Sequence, residues 1–160
     1  MAANTLPFEF GNKATSTVHL ADLGNIYYSG ASAFKLVRVV TNNLLLTVQG
    51  KFVDDSSTTG SLLNTVAALS AVTSARVQGY VSPTQVSLNI GDFFLVQVDG
   101  VVVVSGANTV TNGTSVTTAA AGQVANVTGT FAATVPATII GKALATAAGA
   151  AATIQLVNLN

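Results

Sequence analysis

Few side chains in this sequence of 160 residues could carry out chemistry. His19 is the single histidine and cysteine is absent, which excludes thiolate nucleophiles, disulfides and multi-histidine zinc sites. One Ser–His pair is conceivable, but no G-x-S-x-G motif accompanies the histidine. We therefore expect His19 to have a structural or surface role within a short strand.

The other candidate sites are weak as well. Asp54 and Asp55 stand in a Ser/Thr-rich loop that could bind a hard cation, but the spaced oxygen ligands of a calcium loop are missing. Gly141-Lys142 lacks the earlier glycine of a phosphate-binding loop. The glycosylation sequons at Asn112 and Asn126 are interpreted as chance matches in a Thr-rich chain. The sequence thus predicts no catalytic residue, no metal site and no cofactor, and the protein is not expected to be an enzyme.

Charge is scarce and unevenly distributed along the chain. Charged residues make up 8% of the sequence, the formal net charge is zero, and beyond Asp99 the only charged side chain is Lys142. Because an uncharged surface has little protection against association, we expect another protein to cover it. The lack of a basic patch argues against nucleic-acid binding. The sequence contains no run of about 18 apolar residues, so no membrane helix is predicted. The first residues do not resemble a signal peptide.

The spacing of apolar residues predicts a mainly β chain. Phe34 to Val40 alternates as a half-buried strand does, and Asp99-Gly100 and Asn112-Gly113 each predict a hairpin turn between β-branched runs. One short helix is predicted near 61–72, where Leu and Val recur at helical spacing. The expected architecture is a small β-barrel or sandwich, jelly-roll- or tulip-like, with this helix and an N-terminal arm.

The arm is assigned to residues 1–15 and a single β-rich domain to residues 16–160. Aromatic and apolar side chains on an arm cannot be buried by the arm alone, so they either fold back on their own domain or dock on a neighbour. Two tyrosines of the following loop fit core or interface packing better than a sugar-binding platform, since tryptophan is absent. The candidate interface residues are Leu6, Phe8, Phe10, Tyr27 and Tyr28.

The C-terminal part of the chain, about residues 90–160, carries a pattern of glycines and small apolar residues. It runs GDFFLVQVDGVVVV, then NGTSVTTAAAGQVANVTG, then TIIGKALATAAGAAATIQLVNL. This pattern resembles the C-terminal part of phage capsid decoration proteins, also called cement proteins. The matching positions are Gly122, Val124, Ile140, Gly141, Ala143, Ala148, Gly149, Ile154 and Leu156.

The resemblance implies a β-rich domain that forms trimers or dimers on the outer surface of a phage head. There it would bind the major capsid protein and tie neighbouring subunits together, with no catalysis and no cofactor. The leading hypothesis is therefore a virion structural protein of the cement type. The alternative is a phage fibre or adhesin-type β domain that binds glycans, which the Thr- and Asn-rich second half would also suit.

Overall fold

The computed structural model describes residues 5–15, 17–40, 48–55, 65–70, 76–127, 139–148, 151–157 and 159. The strands of these residues are β1 (Lys13–Ala14), β2 (Ile26–Ser29), β3 (Ser32–Val39), β4 (Phe52–Asp55), β5 (Thr65–Leu69), β6 (Val77–Val81), β7 (Phe93–Ser105), β8 (Thr109–Val110), β9 (Ser115–Thr118), β10 (Val124–Asn126), β11 (Gly141–Ala143), β12 (Ala147–Ala148) and β13 (Ala151–Leu156). Short 3₁₀ helices are formed by Thr17–Asp22 and Ala120–Gly122. Within the described ranges no helix has the length and apolar character needed to cross a membrane.

Strand β7, of 13 residues, runs through both parts of the sheet and pairs with strands of each. Its first half pairs with β3 on one side and, on the other, with β1 and then β6. From β6 the pairing continues through β4 and β5 and returns to β3, so that five strands form a circuit. The contact of β3 with β5 is parallel and the other contacts of the circuit are antiparallel.

The second half of β7 belongs to a different region, the C-terminal sheet. Its strand order is β10-β9-β11-β13-β7, all antiparallel, and β8 and β12 pair with each other beside it. The 11-stranded sheet as a whole, which includes the circuit, is not closed into a barrel. The inner face of its C-terminal part packs on side chains of the circuit. The predicted mainly β, sandwich-like class is therefore confirmed.

Three clusters of buried side chains hold these layers together. The first joins residues from the strands of the circuit, among them Val37, Val53, Val81 and Phe94. The second lies under the C-terminal sheet, where Phe52 and Tyr80 of the circuit meet strand residues such as Val102, Val116 and Ile154. The third lies on the outer side of β3 and β7 and contains Tyr27, Phe34, Leu36, Phe93 and Leu95.

The helix predicted near 61–72 is wrong over the residues that the structure describes. Residues Thr65–Leu69 form β5, which pairs in parallel with β3 and antiparallel with β4. Thr65 and Val66 are β-branched and suit a strand. The edges of β3 and β4 offer backbone hydrogen-bond partners to this strand, and a helix at this place would leave those edges unpaired. The remaining residues of the predicted helix, 61–64 and 71–72, lie outside the described residues.

The predicted hairpin at Asp99-Gly100 is also wrong, because β7 continues through these two residues without interruption. Gly100 has φ +102° and its amide donates a hydrogen bond to Asp99 Oδ1 at 2.7 Å, so the dipeptide bends the strand without reversing it. At Asn112-Gly113 a turn does form, with Gly113 at φ +78°. The strands that flank it pair elsewhere, β8 with β12 and β9 with β10 and β11.

Two shorter predictions in the first half of the chain fail as well. The expected strand around His19 is the 3₁₀ helix Thr17–Asp22. The expected loop with the two tyrosines is largely the edge strand β2, which pairs with β3. At β2 the pairing with β3 decides the local structure, which the local sequence does not reveal.

Candidate interaction surface

The N-terminal candidate residues lie on the third cluster of their own chain. Leu6, Phe8 and Phe10 are partly buried and pack against it. The ring centroids of Phe10 and Phe34 are 4.8 Å apart with the rings tilted, which is a favourable aromatic contact. The structure thus gathers four of the five predicted interface residues, the three N-terminal ones and the buried Tyr27, into intramolecular packing.

Polar contacts fasten this N-terminal segment to the strands. Lys13 Nζ lies 2.7 Å from Asp92 Oδ2, and the same oxygen accepts a hydrogen bond from the amide of Asn89 at 2.7 Å. Gly11 O accepts a hydrogen bond from the amide of Val86 at 3.1 Å. Residues 5–15 are therefore held by an ion pair, a short strand pairing and apolar contacts at once.

Tyr28 differs from the other candidates, because 64% of its surface is exposed on the edge strand β2. It pairs with Ala33 across β3, and its neighbour Tyr27 points to the buried cluster. Tyr28 is thus the one predicted interface residue whose side chain is presented to solvent.

The residues considered for chemistry are dispersed. His19 packs between the rings of Phe8 and Phe93, with centroid distances of 5.7 and 6.0 Å, and its Nδ1 lies 3.8 Å from Asp22 Oδ2. Asp54 is buried in β4, not in a loop, and accepts a hydrogen bond from Ser70 Oγ at 2.6 Å. In the part of the chain that the structure describes, no three His, Asp or Glu side chains come together as a metal site.

Asn126, of the second sequon, stabilises the turn between β8 and β9 through hydrogen bonds of its side chain. Its Oδ1 accepts hydrogen bonds from the Thr111 amide and the Thr114 hydroxyl, at 3.0 and 2.8 Å. Its Nδ2 donates to Thr109 O and Thr111 Oγ1, both at 3.2 Å. The amide group is fully engaged in the fold, which explains the residue without a modification.

The outer face of the C-terminal sheet carries exposed apolar side chains. Directly opposite residues in an antiparallel ladder project on the same side, so the pairing defines rows across this face. One row runs from Val101 through Gln155 to Lys142, and the next joins Val103 to Thr153. Leu144, whose amide donates to Thr153 O at 2.9 Å, lies at the end of the second row.

The residues of this outer face are apolar or neutral, apart from one lysine. Val101 and Val103 are 50% and 53% exposed, and Leu144 is 45% exposed. We define the outer face by its members: Val101, Val103, Ser105, Lys142, Leu144, Ala151, Thr153 and Gln155. Few ions must lose water when such a face is covered, so its burial costs little.

Buried polar groups behind the outer face hold β7 in position. The Tyr80 hydroxyl donates a hydrogen bond to Val103 O, and Gln97 Nε2 donates to Val101 O at 3.3 Å. Burial raises the pKa of the Tyr80 phenol to about 12. Elsewhere in the sheet, burial lowers the pKa of Lys35, and the negative charge of Asp55 opposes this effect. The backbone that carries Val101 and Val103 is thus fixed from within by side-chain hydrogen bonds.

The sequence interpretation missed this outer face. The run Val101 to Val104 was expected to be the second arm of a hairpin, and four consecutive valines do not reveal which of them are covered. The structure alternates them, with Val102 and Val104 buried and Val101 and Val103 exposed. The period-2 rule for strands could have identified the alternation once the strand was known to be continuous.

The architecture defines the class of the protein as an open, sandwich-like β fold with an outer face that carries a single charged residue, Lys142. No protein-family model matches the chain, and no curated protein matches it. Among solved structures, the fold is similar to that of the N base of the head fibre gp8.5 of bacteriophage phi29. The TM-score is 0.51 and the sequence identity 17%, with 79% of this chain and 95% of that chain covered. At this identity the likeness concerns the fold.

Proposed function

We propose that this chain is a structural protein of a phage virion that sits on the outside of the head as the base of a fibre. The observation that carries the proposal is the similarity to the N base of the phi29 head fibre, which extends over 95% of that chain. A base domain needs a rigid β scaffold and surfaces that bind other proteins, and it needs no reactive centre. The dispersed polar residues and the charge-poor outer face agree with such a role.

A second candidate function is that of a capsid cement protein, which binds the major capsid protein and stabilises its lattice. The outer face supports this alternative, because a repeated lattice multiplies a modest apolar contact many times. Each contact would bury apolar surface worth about 25 cal/mol per Å² before entropic costs. Both candidates place the protein on the outer surface of the head and differ in where and how densely it binds.

The test uses heads purified from particles that lack this protein. Recombinant chain is mixed with these heads, the heads are sedimented, and the bound amount is measured as a function of concentration. Saturable binding at a fixed ratio to the shell protein supports a head-surface role. Binding to host cells or glycans without binding to heads contradicts it and favours an adhesin.

Electron cryo-microscopy of the decorated heads separates the two head-surface functions. A fibre base is expected at a sparse subset of positions, each with a projecting density in the complete particle. A cement protein is expected at every equivalent lattice position and should raise the temperature at which heads release DNA. Dense coverage with raised head stability would replace the fibre-base proposal by the cement function.

A further inference from the structure

The turn between β8 and β9 contains the single Asn-Gly dipeptide of the chain, Asn112-Gly113. In such a dipeptide the glycine nitrogen can attack the side-chain carbonyl carbon of the asparagine, because glycine has no side chain to obstruct the approach. The new N–C bond closes a five-membered succinimide ring, and the C–N bond to the side-chain nitrogen breaks. The glycine nitrogen gives its proton to solvent base, and the side-chain nitrogen takes up a proton and leaves as ammonia.

Water then opens the ring at either of its two carbonyl carbons. The product is aspartate or β-linked isoaspartate, so each event consumes one water molecule and releases one ammonia. Either product places a carboxylate in the part of the chain beyond Asp99, where Lys142 is otherwise the only charged side chain. Isoaspartate also adds a methylene group to the main chain of the turn.

Solvent reaches this dipeptide in the folded chain. Asn112 and Gly113 are both exposed, and a Cβ built at Gly113 would meet no atom of the described residues within 4 Å. The water that opens the ring is therefore at hand. If access to solvent alone decided the rate, Asn112 would deamidate as readily in the folded chain as in an unfolded one.

Hydrogen bonds of the backbone oppose the first step. The Gly113 amide, which must lose its proton, donates a hydrogen bond to Ala143 O at 2.9 Å. The Asn112 amide donates to Thr146 Oγ1 at 3.0 Å. The nucleophile and the residue that it attacks are thus both held by the segment that contains β11 and the residues after it.

The shape of the turn also keeps the nucleophile from its target. The Thr114 amide donates to Thr111 O at 3.2 Å. Gly113 has φ +78° while Asn112 stays outside the positive-φ region, as in a type II turn. The first central residue of such a turn has ψ of about +120°. Ring closure requires the Gly113 nitrogen to swing to the side of the Asn112 Cβ, and this rotation breaks the hydrogen bond of the turn.

We propose that Asn112 is a latent deamidation site, which the folded turn keeps closed and which reacts only when this turn detaches from β10 and β11. The Asn126 side chain fastens the turn to β10 through its hydrogen bonds to Thr109, Thr111 and Thr114. The inference concerns the chemistry of one dipeptide and is independent of the proposed function.

The test follows deamidation of the purified chain in mildly alkaline buffer made with heavy-oxygen water, by mass spectrometry of the peptide that contains Asn112. The folded chain should react at least about tenfold more slowly than the same chain unfolded in urea, because the open turn is a small part of the folded population. Asn126→Ala should speed the reaction of the folded chain at least about threefold, because the turn loses several hydrogen bonds.

Phe10→Ala is the comparison variant, because Phe10 packs on the second and third clusters and makes no contact with the turn that the structure describes. It should lower the melting temperature and leave the deamidation rate of the folded chain unchanged. If Asn126→Ala does not fold, Thr146→Val replaces it, since it removes the acceptor of the Asn112 amide without altering the flanking sequence.

Equal rates in the folded and the unfolded chain overturn the inference, because the turn would then give no protection. Equal acceleration by Phe10→Ala and Asn126→Ala also overturns it, since the reaction would then proceed through unfolding of the whole chain. A variant of the turn that folds and reacts no faster than the wild-type chain rejects the role of its hydrogen bonds.

Discussion

Replacing Phe10 by alanine tests whether the N-terminal segment is part of the folded unit. Phe10 is partly buried, packs against both the second and third clusters and contacts the ring of Phe34 at 4.8 Å. Phe→Ala at a fully buried site costs about 3–5 kcal/mol, and a half-buried ring with one aromatic partner should cost about 2 kcal/mol. For a chain of this length that loss lowers the melting temperature by about 4–8 °C.

The assay is thermal and urea unfolding followed by circular dichroism, with Tyr28→Ala as the control. Tyr28 is 64% exposed, so its replacement should change stability by less than about 0.5 kcal/mol. Deletion of residues 1–12 should cost more than Phe10→Ala, because it also removes Leu6, Phe8 and the hydrogen bond at Gly11 O. Equal melting temperatures for Phe10→Ala and Tyr28→Ala would refute the reasoning and return these residues to the role of a docking arm.

Three further predictions concern the strands. Gly100→Ala should cost more than about 2 kcal/mol, because φ is +102° and the new Cβ would lie 2.5 Å from a serine hydroxyl. Gly30→Ala is the control, because Gly30 lies in open space at φ +59°, and it should cost about 1 kcal/mol in a urea titration. Equal costs for the two glycine variants would contradict the bend at Gly100. Asp92→Ala should lower stability by about 2 kcal/mol by leaving the partly buried Lys13 ammonium without its partner, and an unchanged urea midpoint would show that the pair is energetically neutral. Burial raises the pKa of Tyr80 to about 12 from 10.0, so the folded state favours the neutral phenol. Its contribution to stability is full below pH 10 and is lost as pH rises towards 12, and Tyr80→Phe should flatten that part of the stability curve.

The fold class could be predicted from the sequence because it depends on a pattern that many residues share. Val and Thr runs interrupted by Gly and Asn are typical of β structure, and the alternation around Phe34 located β3 closely. The helix near 61–72 and the hairpin at Asp99-Gly100 failed for another reason. Each depends on the partners of a strand, and a vacant edge of β3 or β13 leaves no trace in the local sequence.

The candidate surface was predicted only in its general character. Scarcity of charge beyond Asp99 indicated that some surface is covered, and the structure supplies a face in that part of the chain whose only charged member is Lys142. The particular residues could not be found, because exposure of Val101 and Val103 depends on β13 pairing beside β7. The N-terminal aromatics attracted notice as residues of an arm, yet they are packed on strands that are distant in sequence.

The residues that carry the resemblance to cement proteins form a core, and this decides what the resemblance can mean. Of the matching positions that the structure describes, all but Ala148 are buried. A Cβ at Gly141 would lie 2.4 Å from the carbonyl oxygen of Gln155, and one at Gly122 would lie 2.5 Å from that of Phe52. These glycines therefore permit close approach of backbone segments within the chain, where a side chain would not fit.

A pattern made of such positions describes how a C-terminal sheet is packed from within, and two proteins with different partners can share it. The partner is instead determined by the side chains that point outwards, such as Val103, Lys142 and Thr153, and the pattern does not include them. The same separation applies to the likeness with the phi29 head fibre base, which rests on the fold at 17% identity. A choice between fibre base and cement protein therefore has to come from experiments on the outer face, because the buried positions are compatible with both.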